Sequence, residues 1–561
     1  MKPKVWAHRG ASGVYPENTL LAFKEAIKMH SDGIELDIHL TKDGEIVVCH
    51  DETIDRTSDG KGYIKDYTLE ELKQFNFNQK NLIFGFEPIP TIQEVIALIK
   101  PTDLLLNIEL KTNIFFYEGI EKKIVDLIRK EKMEDRVIFS SFNHYSILQI
   151  KKLSRKVKTA FLYMDSPIDV ADYAKKHGVN ALHPAFYNIQ HTKEIQAAKK
   201  AKLKINVWGV NLPEEILACI DADVDGVFTD YPDNTIDIIN RKGTTKEFGI
   251  YVDADIKPWL KKNIQQAPVL TNDQLHLNSY YAINPDEKAS VVIVHGFCEF
   301  FGKYHEVAYK FFKEGYSVFF LELRGHGKSE RDFPHEDQRV HSESFNHYVE
   351  DVEAFLAQIV QPNSKTHKLL LLAHSMGGAV GSLYLEKHPE TFTCAVLSAP
   401  LIRVNFGRFP TWTVNAIGMI SKAREKTFDY APGQHAFMGQ YAFMKSNAMD
   451  RDRYNYQFFQ RLKDKDYQTW GSTVGWVLAA QQASEDILKN ASSITIPILI
   501  LQAEFDQMVD NNAQEEFTKK VETSTLIKFD KAKHELYSGT KEIRNKYFSA
   551  IFDFFKQNLS E

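Results

Sequence analysis

Residues 33–50, GIELDIHLTKDGEIVVCH, hold two short strand-like runs on either side of Asp43-Gly44. An Asp-Gly pair between alternating runs favours a tight hairpin, so the two strands run antiparallel. That reading decides the architecture of the first 240 residues. Nine candidate strands occur there, at 4–8, 33–39, 46–50, 103–109, 136–140, 158–163, 180–184, 204–209 and 225–229. Amphipathic stretches separate them, the pattern of repeated βα units. Nine is one too many for a closed (β/α)8 barrel. The hairpin makes 46–50 an excursion beyond the second barrel strand, and eight parallel strands remain, which predicts a TIM-type barrel.

The polar, aperiodic stretch Arg241–Lys246 is the expected boundary, with one domain over 1–243 and a second over 244–561. In the second, strand-like runs at 274–283, 289–294, 316–321, 369–373, 394–398, 496–501 and 525–529 alternate with helical stretches. This predicts a doubly wound α/β sheet. Residues 401–485 break the alternation and are rich in aromatic side chains and methionine, as expected of a helical lid.

Composition excludes several functions. A chain of 561 residues exceeds one hydrophobic core, and a net charge of −6 leaves no basic footprint for nucleic acid. Four widely spaced cysteines without ligand spacing suggest reduced thiols and a cytoplasmic setting. The N-terminus lacks the apolar core of a secretory signal, and no run approaches the ~20 apolar residues of a span. Membrane contact is expected only peripherally, through the lid.

Chemistry concentrates in two places. Side chains alternate along a strand, so Glu35 and Asp37 share a face, and Asn107, Glu109 and Lys111 repeat the device. All lie at the C-terminal ends of barrel strands, where such barrels do their chemistry. Independent surface ion pairs would not all reach one rim. Three converging carboxylates call for a cation, and oxygen-only ligands favour Mg2+ or Ca2+. His8 and His50 are candidates for general acid and base. Arg9 offers a planar fork for phosphate oxygens, with Lys111 as a second positive charge.

His8-Arg9-Gly10, Pro16–Thr19, Glu35–Asp51, Arg56-Thr57, Ile89–Thr91, Glu109–Lys111, Val207–Asn211 and Phe228–Pro232 together resemble the glycerophosphodiester phosphodiesterase family. The resemblance implies that Glu35, Asp37 and Glu109 hold the metal, and that His8 and His50 are the acid/base pair. It further implies that Arg9 and Lys111 bind phosphate, and that Trp208 packs on the glycerol. The implied reaction is attack of the glycerol 2-hydroxyl on phosphorus, then opening of the cyclic phosphate by water.

The second place is Ser375. It falls between the strand 369–373 and a helix-like stretch from Met376, with Gly377 and Gly378 permitting close packing, as in a nucleophile elbow. Ala373 stands where the G-x-S-x-G pattern has its first glycine. Asp506 and His534 follow strands, which completes the Ser…Asp…His order of α/β-hydrolases, with Glu504 as the alternative acid. The N–H groups of Phe297 and Met376 are the expected oxyanion donors. His295, His326 and His374 are read as structural.

Val294–Gly296, Leu323–Ser329, Phe345–Asp351 and Ala373–Gly378 make this half similar to α/β-hydrolases of the monoacylglycerol lipase and L2-type lysophospholipase kind. In the lid, Trp412, Phe437, Met438, Phe443, Met444, Phe458, Phe459, Trp470 and Trp476 either line an acyl tunnel or form the lid's own core.

The pairing suggests a bifunctional enzyme. Its second domain would deacylate lysophospholipid or monoacylglycerol, and its first would cut the resulting glycerophosphodiester. One rival has the barrel act directly on lysophospholipid, ahead of a monoacylglycerol lipase. Another has one domain serve only as a lipid-binding or interaction module.

Overall fold

The structure is a computed structural model that describes residues 2–78, 84–331, 333, 337–405, 418–439 and 441–560. It divides into two compact units, Met1–Gly249 with Gly439–Tyr441, and Ile250–Met438 with Ala442–Glu561. Around the expected boundary, the chain is helical over Lys242–Tyr251 rather than aperiodic.

In the first unit the strands are β1 (Lys4–Ala7), β2 (Gly33–Leu40), β3 (Ile46–Val48), β4 (Leu105–Leu110), β5 (Val137–Ser141), β6 (Lys158–Tyr163), β7 (Ala181–Pro184), β8 (Lys204–Val207) and β9 (Gly226–Thr229). β1 pairs in parallel with both β2 and β9, so eight strands close into a barrel. β3 is antiparallel to β2 and lies outside the ring, the hairpin that Asp43-Gly44 predicts. Side-chain caps mark where helices start: the Thr19 hydroxyl accepts the Ala22 N–H, and Thr91 forms a capping box with Glu94.

Trp6 fills part of the barrel and is 1% exposed. Its ring needs glycine on both neighbouring strands. A Cβ at Gly33 would come within 2.5 Å of it, and one at Gly226 within 2.8 Å.

The second unit carries an eight-stranded sheet. Its strands are β10 (Gln265–Leu270), β11 (His276–Ala282), β12 (Ser290–Val294), β13 (Ser317–Glu322), β14 (Leu369–His374), β15 (Cys394–Ser398), β16 (Ile498–Ala503) and β17 (Ser524–Phe529). They lie in the order β10-β11-β13-β12-β14-β15-β16-β17, antiparallel through β11 and parallel beyond it. β10 is absent from the sequence reading. Its residues QQAPVL show no alternation and contain Pro268, which an edge strand tolerates.

The expected lid holds the helices Arg451–Lys463 and Val474–Asn490 with irregular segments around them. Trp412 lies outside the described residues. Phe458, Phe459 and Trp476 are buried, with Trp476 against Phe297 and Phe345, so these three belong to the core. Phe437, Met438 and Phe443 are half-buried. Met444 and Trp470 are exposed. Among the described residues all four cysteines are buried and free. No described helix is long and apolar enough to cross a membrane.

Trp6→Ala should cost about 3–5 kcal/mol, because rigid strands cannot collapse into the space. Calorimetry should show this in the unfolding transition of the first unit, with that of the second unchanged.

Candidate active sites

Strand register builds the first site. β2 and β4 place Asp37 opposite Glu109, and alternation brings Glu35 to the same face. Ligand oxygens of Glu35, Asp37 and Glu109 lie within 4.8 Å of one another, all on buried residues. Asp37 Oδ1 is buried without a hydrogen-bond partner, 3.8 Å from Lys111 Nζ.

Burial lifts the Glu35 carboxyl to about 8, and the Asp37 charge adds to the effect. Burial raises Glu109 as well, against the pull of Lys111. Asp37 goes the other way. Burial opposes its ionisation, but Lys111, His50, Arg9 and the Asn18 side chain hold it well below the usual range. A trio in which one acid must stay protonated near neutrality lacks positive charge at its centre. An all-oxygen donor set with an orphaned lone pair fits a hard divalent cation.

Both expected imidazoles are present, and each leans on a carboxylate. His8 Nδ1 lies 2.7 Å from Asp230 Oδ1, and His50 Nδ1 2.6 Å from Asp51 Oδ1. Burial works against a charged His8 ring, yet the hydrogen bond and charge of Asp230 raise its pKa. Asn211 and Ser12 hold Asp230 in turn, and Arg56 grips Asp51.

Lys111 Nζ lies 3.0 Å from Glu109 Oε1 and 3.2 Å from His50 Nε2. Arg9 has left-handed backbone (φ 55°), and its own N–H donates to Glu35 Oε2 at 2.9 Å. Its guanidinium reaches Glu17 and lies 3.5 Å from Asp37 Oδ2. Trp208, just past β8, is tethered by Nε1 to the carbonyls of Tyr163 and His183, and no bond links it to the trio.

Asp230, Asp51, Asn18 and Glu17 have no role in the sequence reading. Their signal was available, since each sits within a quoted motif, but a supporting carboxylate is recognised only by the imidazole or guanidinium it meets.

The second site is a relay. Ser375 occupies a strained elbow (φ 53°, ψ −117°) between β14 and the helix Met376–Lys387. A Cβ on Gly377 would lie 2.2 Å from the Val294 carbonyl, and one on Gly378 2.5 Å from Pro400, so the elbow requires both glycines. His534 Nε2 lies 2.8 Å from Ser375 Oγ, and its Nδ1 2.6 Å from Asp506 Oδ2. The Met508 and Val509 N–H groups hold the other Asp506 oxygen. Glu504 instead accepts the Lys531 N–H, which removes it as the alternative acid.

Met376 opens its helix, and neither its N–H nor that of Phe297 has a protein acceptor among the described residues. His295 donates to the Gly296 carbonyl and accepts the Leu323 N–H, bracing the turn beside Phe297. His326 and His374 each donate to a backbone carbonyl.

Beneath this relay lies a buried ionic cluster that the sequence reading missed. Glu299 accepts from the Gly296 N–H, Tyr304, Tyr537 and Lys303, and Lys303 also reaches Glu535. It ties the turn that carries Phe297 to the segment that follows His534. Burial disfavours its charge, but Lys303 and His374 keep the carboxyl well below its usual range.

One chain therefore holds the two centres of a cation-assisted phosphodiesterase barrel and a serine hydrolase. Residues 8–234 match the model of the glycerophosphoryl diester phosphodiesterase family, and residues 285–541 the model described as serine aminopeptidase, S33. A glycerophosphodiester phosphodiesterase of Caldanaerobacter subterraneus subsp. tengcongensis is 43% identical over 247 residues, covering 43% of this chain and 100% of that protein. One from Bacillus altitudinis is 40% identical over 241 residues, 42% of this chain and 97% of that protein. Lysophospholipase L2 of Escherichia coli K12 is 32% identical over 280 residues, 48% of this chain and 81% of that protein. The chain belongs to the glycerophosphodiester phosphodiesterase family in its first half and to the α/β-hydrolases that include lysophospholipase L2 in its second.

In metal-free protein, Glu35 has a folded pKa near 8 against an ordinary 4.5. A raised carboxyl contributes stability that is complete below the unfolded value and is lost as pH climbs through the folded one. The melting temperature of the first unit should therefore fall between about pH 4.5 and 8 in chelator-treated protein. Saturating Mg2+ or Ca2+ should flatten the slope, whereas a level metal-free profile would contradict the charge balance described.

Glu299→Ala leaves Lys303 with Glu535 alone and orphans the Gly296 N–H and the Tyr304 and Tyr537 hydroxyls. It should cost roughly 3–5 kcal/mol, measured by denaturant unfolding of the second unit.

Proposed function

We propose that the protein degrades lysophospholipids by two hydrolyses, deacylation at Ser375 and cleavage of the resulting glycerophosphodiester in the barrel. The observation that carries this reading is the coexistence of two complete centres, one for an ester and one for a phosphodiester. A glycerophospholipid contains both bonds. The names of the relatives, a lysophospholipase and glycerophosphodiester phosphodiesterases, support the same substrates.

In the ester site Ser375 Oγ attacks the acyl carbonyl while His534 takes its proton, with Asp506 fixing the ring and stabilising its charge. The N–H groups of Phe297 and Met376 receive the developing oxyanion. His534 then protonates the departing glycerol oxygen, and water releases the fatty acid from the serine.

In the barrel, Glu35, Asp37 and Glu109 would hold a divalent cation, Mg2+ or Ca2+, which when bound withdraws charge from phosphoryl oxygen and acidifies a neighbouring hydroxyl. Arg9 and Lys111 bind the non-bridging oxygens. His8 and His50 divide the proton work. One accepts the proton of the glycerol 2-hydroxyl as it attacks phosphorus, and the other protonates the leaving alcohol. Asp230 and Asp51 keep the two rings oriented. Trp208 offers its face to the glycerol carbons. Water then opens the cyclic phosphate to glycerol 3-phosphate.

The test is a product profile on lysophosphatidylcholine and lysophosphatidylethanolamine with Mg2+ or Ca2+ supplied. Fatty acid and glycerol 3-phosphate should both appear. Ser375→Ala should lower deacylation at least about 1,000-fold while sparing glycerophosphodiester cleavage, and Glu35→Ala should do the reverse. If wild type yields neither product, the reading fails.

A further inference from the structure

One buried cation beside the ester site takes no part in the relay. Arg461 lies on the helix Arg451–Lys463 and is 7% exposed. Its Nη2 donates to the carbonyl of Cys298, the residue that follows Phe297. The same turn closes on the nucleophile, since a Cβ on Gly296 would lie 3.0 Å from that of Ser375. Arg461 Nη1 is buried without a hydrogen-bond partner. Among the described residues no carboxylate forms an ion pair with the guanidinium. The acids whose charge reaches it, Glu299 and Glu535, are already bridged by Lys303. Three rings surround it instead. The guanidinium carbon lies 4.8 Å from the ring centre of Trp470, 5.2 Å from that of Phe300 and 5.6 Å from that of Phe437.

Withdrawing a guanidinium from water is costly, and proteins ordinarily offset the cost with a carboxylate or a full set of acceptors. Arg461 has one carbonyl and three aromatic faces, which leave its N–H fork unsatisfied. A tether between the helix and the turn would need only the Nη2 bond. The hydrogens of Nη1 stay uncommitted, and the oxygens of a phosphate are the acceptors that such a planar fork suits. The rings differ in how easily they could yield. Phe300 is fully buried, whereas Trp470 is 38% exposed and is the one an incoming group can displace.

We propose that Arg461 binds the phosphate of a lysophospholipid in the ester site, with Trp470 moving aside to admit it. The ester site then prefers phosphate-bearing monoacyl lipids to neutral monoacylglycerols. The inference rests on the deacylation at Ser375 proposed above and adds the residue that selects its substrate. In a 1-acyl lysophospholipid the scissile ester and the phosphate occupy the two ends of one glycerol. One turn accordingly serves both, offering the Phe297 N–H to the carbonyl and, through Cys298, holding the guanidinium for the phosphate. A phosphodiester is anionic whatever alcohol it carries, so Arg461 selects a class of lipid rather than a head group. The bonds made and broken remain those at Ser375.

The test compares two substrates of the full chain, lysophosphatidylcholine and 1-monoacylglycerol with the same short acyl chain, both below their critical micelle concentrations. Arg461→Gln keeps a donor for the Cys298 carbonyl and removes the charge. It should lower kcat/KM for lysophosphatidylcholine about 30-fold, mainly through KM, and change that for monoacylglycerol by less than about threefold. A second measurement leaves Arg461 in place and decides alone if Arg461→Gln fails to fold. In Ser375→Ala protein, lysophosphatidylcholine should alter the Trp470 emission, read as the part of the signal lost on adding Trp470→Phe. Monoacylglycerol should leave that part unchanged.

Equal losses on the two substrates in Arg461→Gln would reduce the residue to a tether and overturn this inference, with the proposed function intact. So would an unchanged value for lysophosphatidylcholine, or a Trp470 signal that answers both lipids alike or neither. Wild-type protein that does not deacylate lysophosphatidylcholine would overturn both.

Discussion

Three carboxylates packed within 4.8 Å and withdrawn from water form the constraint around which the barrel's chemistry is arranged. Like charges so placed cannot all stay ionised unless something positive is supplied. The protein supplies part of it through Lys111 and Arg9, which hold Asp37 ionised. It leaves Glu35 and Glu109 shifted upward. The proposed divalent cation would make up that shortfall. Neighbouring residues serve the same balance: Asn18 donates to Asp37, and the Arg9 backbone bends into a left-handed turn to donate to Glu35. A barrel strand is a suitable mount, because its register is locked on both edges and its side chains cannot drift to reduce the repulsion.

The two centres reach a common solution to a different problem. An imidazole transfers protons well only if its tautomer and orientation are set in advance. His8, His50 and His534 each have Nδ1 within 2.7 Å of an aspartate oxygen. Each aspartate is held in turn, Asp230 by Asn211, Asp51 by Arg56, and Asp506 by two backbone N–H groups. In the hydrolase unit the support goes deeper, since Glu299 links the turn that carries Phe297 to the segment after His534. Strain is localised accordingly, with Ser375 and Arg9 both in left-handed backbone at the point where each meets its partners.

What was legible in the sequence follows from local rules. Period-two alternation, Asp43-Gly44 and the small residues around Ser375 act over a few neighbours, so they announce barrel strands, a hairpin and an elbow without tertiary information. The same rules put Glu35 and Asp37 on one face, and chain order alone ranked Asp506 and His534 with Ser375. Local rules failed at β10, whose edge position removes the need for alternation, and around Lys242–Tyr251, where polar residues form a helix. They also could not sort the lid aromatics, because helical spacing is the same whether a ring points to a ligand or to the core.

The amino-acid order by itself therefore announced the two folds and named the candidates for the acidic trio and the serine relay, because strand alternation, turn residues and chain order are all read along the chain. Only the tertiary structure decided which carboxylate steadies each imidazole, that Glu504 turns away to Lys531, and that Glu299 lies buried under the relay. Those relations link residues far apart in the chain, and only strand closure and packing bring them together.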